Sequence, residues 1–239
     1  MLKNQVVLVL GASSGIGRET AIQFAREGAR VMAAARREDL LRELRDELAR
    51  EGHAIEIMSA DVAKLADMER LAATTRERLG EVDILVYVSG TNVPDRALKR
   101  LNPQIWDMMI SVNLNGAYYI TQALLPSMRE RKSGHLIFIS SISGAVPDVS
   151  GAAYQAAKRG IIGLSHAIRV EEKENGIRTC AILPGLVDTP ILEKRPYKTP
   201  PEMVAKALQP CDVAEVILAV AKLPPRAAVP EMQIMPTYL

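Results

Sequence analysis

The chain has 239 residues, 48% hydrophobic and 24% charged, proportions at the globular average that exclude disordered and fibrous classes. Thirty basic against 28 acidic residues leave a net charge of +2, which is no electrostatic footprint for a nucleic acid. Aromatic residues, at 4%, are too few for base-stacking platforms, so the core must be aliphatic.

Short aliphatic runs that read as buried strands recur at Val6–Leu10, Arg30–Ala35, Ala54–Ser59, Val82–Ser89, His135–Ser140 and Arg178–Leu183, with a last strand at Glu231–Met235. Between them, apolar residues at helical spacing predict helices over Ile16–Glu27, Glu38–Arg50, Lys64–Leu79, Pro103–Arg131, Gly151–Glu174 and Asp212–Leu223. Continuously apolar strands are buried on both faces, and unbroken strand–helix alternation implies a parallel sheet. The expected fold class is α/β, a single doubly wound parallel sheet with helices on both faces, forming one domain over residues 1–239. The irregular stretch Pro184–Pro210, rich in proline and basic residues, predicts a short substrate lid at about 190–210.

Cys180 and Cys211 cannot form a disulfide framework, and no Cys/His spacing suggests a metal. The longest early apolar run, Val6–Leu10, is too short for a signal-peptide core, and nothing approaches the roughly 18–20 apolar residues of a membrane span. A cytoplasmic protein with no membrane partner is expected.

The first strand runs into Gly11-Ala12-Ser13-Ser14-Gly15-Ile16-Gly17, where a helix begins. Glycines let a backbone turn sharply and approach a phosphate, and the helix N-terminus offers it unpaired N–H groups. The same residues also fit G-x-S-x-G, the nucleophile elbow of α/β-hydrolases. That reading requires a late histidine, and His53, His135 and His166 all precede the last strands. The elbow also leaves Gly17 without a purpose.

The second strand ends Ala33-Ala34-Ala35-Arg36-Arg37. An acid in this region would hold adenosine ribose hydroxyls, whereas an arginine accommodates a 2′-phosphate. Two forked guanidiniums therefore favour NADP(H) over NAD(H); the plainer alternative is a basic pair opening a solvated helix.

Tyr154 and Lys158 lie four apart on a predicted helix and project from one face. Ser141 follows directly on the strand His135–Ser140, thirteen residues before Tyr154, at the carboxyl end that faces the ligand crevice of a parallel sheet. Taken singly, each is an ordinary packing or helix-surface residue.

With Gly11/Gly15/Gly17, Asp61-Val62, Asn113, Ser141, Tyr154-x-x-x-Lys158 and Pro184-Gly185 in this order, the chain resembles the short-chain dehydrogenase/reductase family, classical type, from about Val6 to Met235. The resemblance implies a Rossmann fold and an enzyme interconverting a carbonyl and an alcohol by hydride transfer. Tyr154 would be its general acid or base, and Ser141 would hydrogen-bond the reacting oxygen. Lys158 would hold the nicotinamide ribose and lower the tyrosine pKa, while Asn113 would anchor a water in a proton relay. Free tyrosine titrates near 10, and bringing it to about 7–8 requires roughly 3–4 kcal/mol. An ammonium about 4 Å away at an effective dielectric of about 20 supplies on the order of 4 kcal/mol.

By the same resemblance the cofactor would touch Gly11, Ser13, Ser14, Gly15, Ile16, Gly17, Arg36, Arg37, Gly90, Tyr154 and Lys158. Asp61 and Val62 would meet the adenine, and Pro184, Gly185, Val187 and Thr189 the nicotinamide carboxamide. Asp61 reads equally well as a cap for the helix Lys64–Leu79. The family's usual Asn-Asn-Ala-Gly after strand four is here Tyr87-Val88-Ser89-Gly90, a change expected to loosen this segment. Leu10 replaces a usual threonine.

Substrate walls are expected from Thr91–Pro94, Ser143–Val149 and Ile191–Gln209. Lys194, Arg195 and Lys198 there would attract a carboxylate or simply form a solvated loop face. The tail Pro230–Thr237 looks similar to tails of NADP-dependent relatives acting on small hydroxy acids and alcohols. Relatives associate through helices corresponding to Pro103–Arg131 and Gly151–Glu174, so a homodimer or homotetramer is expected. A non-catalytic NADP(H)-binding sensor is the alternative function, although binding alone does not require Ser141.

Overall fold

A computed structural model of the chain describes residues 2–238. Seven parallel strands form one sheet: β1 (Val6–Leu10), β2 (Arg30–Ala35), β3 (Ile55–Ser59), β4 (Ile84–Tyr87), β5 (Gly134–Ile139), β6 (Ile177–Pro184) and β7 (Glu231–Ile234), in the order β3-β2-β1-β4-β5-β6-β7. The chain winds outward from β1 to β3 and then crosses to the other side of β1 for β4. That reversal opens a crevice at the carboxyl ends of β1 and β4. The register pairs Leu10 with Ala34 on one side and with Tyr87 on the other.

Alternate residues of a strand point to opposite faces, and β1 divides its side chains accordingly. Val7 and Val9 enter one core, while Val6, Leu8 and Leu10 enter the other. The first core is covered by α1 (Gly15–Arg26), α2 (Glu38–Arg50) and α9 (Pro210–Ala221). The second lies under α3 (Leu65–Leu79), α5 (Gly116–Arg131) and α7 (Ala152–Glu172). Three short helices complete the set: α4 (Pro103–Ile110), α6 (Ile142–Ala145) and α8 (Pro201–Val204). The buried leucines of α2, Leu41, Leu44 and Leu48, follow the three-to-four spacing of one helix face.

Local chemistry sets several helix starts. Asn102 accepts from the Ile105 N–H at 2.8 Å and Pro103 occupies the first turn of α4. Gln209 and Asp212 form a capping box at α9, which moves its start two residues ahead of the predicted Asp212. α3 begins at Leu65, and the carboxylate of Asp61 accepts from the Ala63 N–H at 3.1 Å instead of capping it. The cap reading of Asp61 is therefore corrected: its side chain closes the preceding turn.

The predicted helix Pro103–Arg131 is also corrected. It divides into α4, a π-helical turn at Ser111–Asn115, and α5. Two groups hold the wide turn. The Tyr87 hydroxyl donates to the Val112 carbonyl at 2.7 Å, and the Asn113 amide donates to Thr91 and Met109 carbonyls at 3.0 and 2.8 Å. An inserted side chain that takes a helix carbonyl breaks the regular ladder. Tyr87 is fully buried, so the segment expected to loosen without asparagines is instead pinned by a tyrosine.

Beyond β6 the predicted lid region contains a 3-10 turn at Pro190–Lys194 and α8, closed at its base by a parallel bridge between Val187 and Leu208. Among the described residues, no helix is long and apolar enough to cross a membrane.

Candidate active site

The crevice holds a cavity of about 550 Å³, within the usual range for small-molecule sites. The glycine loop forms one wall. Gly11 and Gly15 have φ of +92° and +54°, and a Cβ on Gly11 would sit 2.8 Å from the Ser89 nitrogen. Gly17 faces inward, where a Cβ would lie 2.3 Å from the Gly11 carbonyl oxygen; it lets α1 pack against the loop and does not line the cavity. Ser14 precedes α1 without capping it through its side chain, which leaves the helix N–H groups available to an anion.

Arg37 reaches across this loop, donating to the Ser13 and Ser14 hydroxyls at 3.0 and 2.7 Å. Arg36 lines the same region. Lys194 ends the 3-10 turn that begins at Pro190, donates to the Thr91 hydroxyl at 2.7 Å, and has its pKa lowered by burial and then by Arg36 and Arg37. The loop, its helix end and these cations fit the phosphate groups of a dinucleotide.

The catalytic candidates come from three elements. Ser141 follows β5 and caps α6, accepting from the Ser143 N–H at 3.2 Å. Tyr154 and Lys158 stand on α7. The Ser140 hydroxyl donates to the Lys158 carbonyl at 2.7 Å, and a Cβ on Gly144 would meet that carbonyl at 2.9 Å. The strand end and the tyrosine helix are thus held together by a buried hydrogen bond and by close backbone contact. Ser141, Tyr154 and Lys158 all line the cavity.

Lys158 is buried, and its ammonium donates to the Ile139 carbonyl at 2.9 Å. Burial lowers its pKa to about 8. It lies 5.7 Å from the Tyr154 ring centroid. Tyr154 itself is pushed above the ordinary tyrosine value by burial, while Ser141, Arg96 and Arg195 pull it back down and Asp148 pushes it up. Desolvation outweighs the nearby cations, and those acting on the hydroxyl include two arginines that the motif did not contain.

Asn113 is buried outside the cavity lining. Its amide oxygen accepts from the Thr91 N–H at 2.9 Å. Gly90 separates it from Lys158: a Cβ there would lie 3.0 Å from the Asn113 amide oxygen and 3.2 Å from the Lys158 nitrogen. Of the remaining predicted cofactor contacts, Ile16, Val62, Pro184, Gly185, Val187 and Thr189 line the cavity, whereas Asp61 does not.

Asp148 lies in the lining within the predicted wall Ser143–Val149, whereas sequence reasoning missed Arg96 and Ser150, because they occupy irregular segments whose direction no periodicity reveals. No histidine lines the cavity among the described residues. His135 sits near the start of β5, buried, with its pKa lowered to about 3 by burial and by Arg178. The hydrolase reading has no base beside Ser13.

Comparison with known proteins agrees with this geometry. A family model described as short chain dehydrogenase matches residues 5–199. An uncharacterized oxidoreductase of Staphylococcus aureus (strain MRSA252) is 32% identical over 236 residues, 99% of each chain. The closed form of serine dehydrogenase complexed with NADP+ has a TM-score of 0.87 at 32% identity, over 96% of this chain and 94% of that one. An actinorhodin polyketide ketoreductase with NADPH has a TM-score of 0.90 at 30% identity, over 99% and 98%. With a seven-stranded parallel sheet, a glycine loop between β1 and α1, and this extent of matching, the chain belongs to the short-chain dehydrogenase family of oxidoreductases.

Proposed function

We propose that the chain is an NADP(H)-dependent carbonyl reductase or alcohol dehydrogenase in which Tyr154 is the general acid and base. The observation that carries the reading is the convergence of Ser141, Tyr154 and Lys158 on one cavity with the glycine loop. The cofactor, when bound, supplies or accepts the hydride. Tyr154 gives its hydroxyl proton to the carbonyl oxygen in reduction and removes it from the alcohol in oxidation. Ser141 donates to that same oxygen and stabilises the charge developing there. Lys158, with a pKa near neutrality, exchanges protons with the solvent side and holds the nicotinamide ribose. Asn113 anchors a water of that relay, a role supported by its place beside Gly90, which the Lys158 ammonium also adjoins.

Arg36 and Arg37 hold the 2′-phosphate of NADP(H), and the glycine loop with the α1 N-terminus holds the pyrophosphate. Asp61 and Val62 flank the adenine, and Pro184, Gly185, Val187 and Thr189 flank the carboxamide. The two solved relatives above carry NADP+ and NADPH, which supports the same cofactor here. We place the protein in the cytoplasm as a homodimer or homotetramer, with residues 1–239 forming one domain and about 190–210 its lid.

The test is NADPH oxidation followed by absorbance over aldehydes, ketones and keto acids, beside NADPH binding by fluorescence. Turnover that falls about 10²–10⁴-fold in Tyr154→Phe supports the assignment. Binding with no turnover of any carbonyl, unchanged in Tyr154→Phe, would point to a nucleotide sensor instead.

A further inference from the structure

Two arginines that do not belong to the cofactor wall line the same cavity as Tyr154. Arg96 lies in the segment between β4 and α4, and Arg195 follows the 3-10 turn of the lid. Both are half-buried, and neither makes an ion pair among the described residues. The Nε of Arg96 is buried and has no hydrogen-bond partner. An unmade hydrogen bond on a buried charged donor is costly, and of the three described arginines whose buried Nε lacks a partner, Arg96, Arg131 and Arg169, Arg96 alone lines this cavity.

The backbone holds Arg96 where it is. Gly151, immediately before α7, has a φ of +93°, and a Cβ there would lie 2.8 Å from both the Arg96 Cβ and its carbonyl oxygen. Arg96 is therefore packed onto the start of the helix that carries Tyr154 three residues on. The two guanidiniums also act on each other. Arg96 has its pKa lowered by burial first and by Arg195 next, and both lower the Tyr154 hydroxyl.

Among the described residues the nearby acids form no ion pair with either guanidinium, although the Asp148 charge acts on Arg96 and offsets part of the lowering of its pKa. Asp148 faces the cavity, but its carboxylate accepts from the Ser143 hydroxyl at 2.5 Å, from the Ser150 hydroxyl at 3.1 Å and from the Ser150 N–H at 2.8 Å. Asp188 and Glu193 open onto a neighbouring hollow that Arg195 also lines. Lys194 is engaged by the Thr91 hydroxyl and Arg37 by the hydroxyls of the glycine loop, so both of those cations already have partners.

We propose that Arg96 and Arg195 dock a carboxylate of the substrate beside Tyr154, so that the chain acts on carbonyl acids and hydroxy acids in preference to neutral ketones and alcohols. The inference rests on the carbonyl–alcohol reading above and names its substrate class. Forked donors match a carboxylate in shape and charge, and a bound anion would satisfy the unpaired Nε and relieve the repulsion between the guanidiniums.

The test uses matched pairs that differ only in the charge: 2-oxobutanoate, acetoacetate and succinic semialdehyde, each beside its methyl ester, with NADPH. The three acids place the carboxylate at successive distances from the carbonyl. At least one acid should exceed its ester in kcat/KM by about 10- to 100-fold, the worth of a charged hydrogen-bonded contact. Arg96→Gln and Arg195→Gln should each shrink that acid-to-ester ratio about tenfold or more, and Arg96→Lys should restore part of it. Arg195, on the lid, serves if Arg96→Gln fails to fold. Calorimetric titration of the preferred acid into the NADP+-loaded chain, and into the chain alone, gives the second readout. Binding lost in Arg195→Gln supports the docking site even if no carbonyl turns over, an outcome that would remove only the oxidoreductase reading. Turnover of acids and esters at equal efficiency, or a ratio unmoved by both variants, overturns the inference and leaves the oxidoreductase reading standing.

Discussion

The hydroxyl of Tyr87, at the end of β4, donates to the carbonyl of Val112 at 2.7 Å, across a separation of 25 residues. The residue is fully buried, and burial holds its hydroxyl well above the ordinary tyrosine value, with Asp61 adding to the effect. It is a neutral donor under all ordinary conditions. The bond ties the strand that borders the cavity to the π-helical turn carrying Asn113. Tyr87 stands where the family resemblance expects an asparagine, and its hydroxyl acts on the turn from inside the core.

Tyr87→Phe keeps the ring and removes the donor, leaving the Val112 carbonyl unsatisfied. The expected loss is about 1–3 kcal/mol of stability, measured by urea denaturation with an unchanged m-value. Because Asn113 lies next to Val112, kcat should fall more than KM rises. A variant as stable as the parent would show that the turn holds itself.

Arg37 bonds the Ser13 and Ser14 hydroxyls, and Arg36 lines the cavity beside it. Replacing either with aspartate places a carboxylate where a 2′-phosphate is expected. The ratio of NADPH to NADH affinity should drop about tenfold or more for each, read by nucleotide fluorescence. If Arg36→Asp leaves the ratio untouched, the cofactor assignment is wrong.

Lys158 titrates at about 8 in the folded chain against about 10.4 when unfolded. Between those values the unfolded chain binds more protons, so stability should rise as pH increases from about 8 to about 10, and the cost of burying the ammonium is present in full below about 8. Lys158→Met should abolish turnover yet stabilise the cofactor-free chain by about 2–4 kcal/mol at pH 7. Guanidinium denaturation at pH 7 and pH 10 measures both effects. An equal pH response in parent and variant would contradict the burial argument.

His135 runs the same way at acid pH. Its folded pKa of about 3 lies below the unfolded value of about 6.5. The unfolded state therefore takes up the proton first, and stability falls as pH drops through 6.5 toward 3. By pH 5 the loss should be about 2 kcal/mol. His135→Gln should flatten that part of the stability profile, and a profile that keeps its slope would assign the acid sensitivity elsewhere.

What the sequence by itself determined was local in character. Apolar runs of strand length separated by helical periods gave the doubly wound order, because burial on both faces leaves no polar alternation in β1, β4 or β6. Glycine spacing marked the phosphate loop, since only a missing Cβ allows the contacts made at Gly11 and Gly17. The four-residue interval from Tyr154 to Lys158 placed both on one helix face.

Tertiary structure decided everything that depends on distance through space. The long helix breaks at Ser111–Asn115 because a tyrosine from a strand takes its carbonyl, a contact that no window of sequence contains. Burial, Ser141 and Asp148 act on Tyr154 together with Arg96 and Arg195, and the two arginines come from an interstrand segment and the irregular stretch after β6, which have no periodicity to orient them. Periodicity reports which face is buried; charge and hydrogen bonding act between groups that only the folded chain brings within a few ångströms.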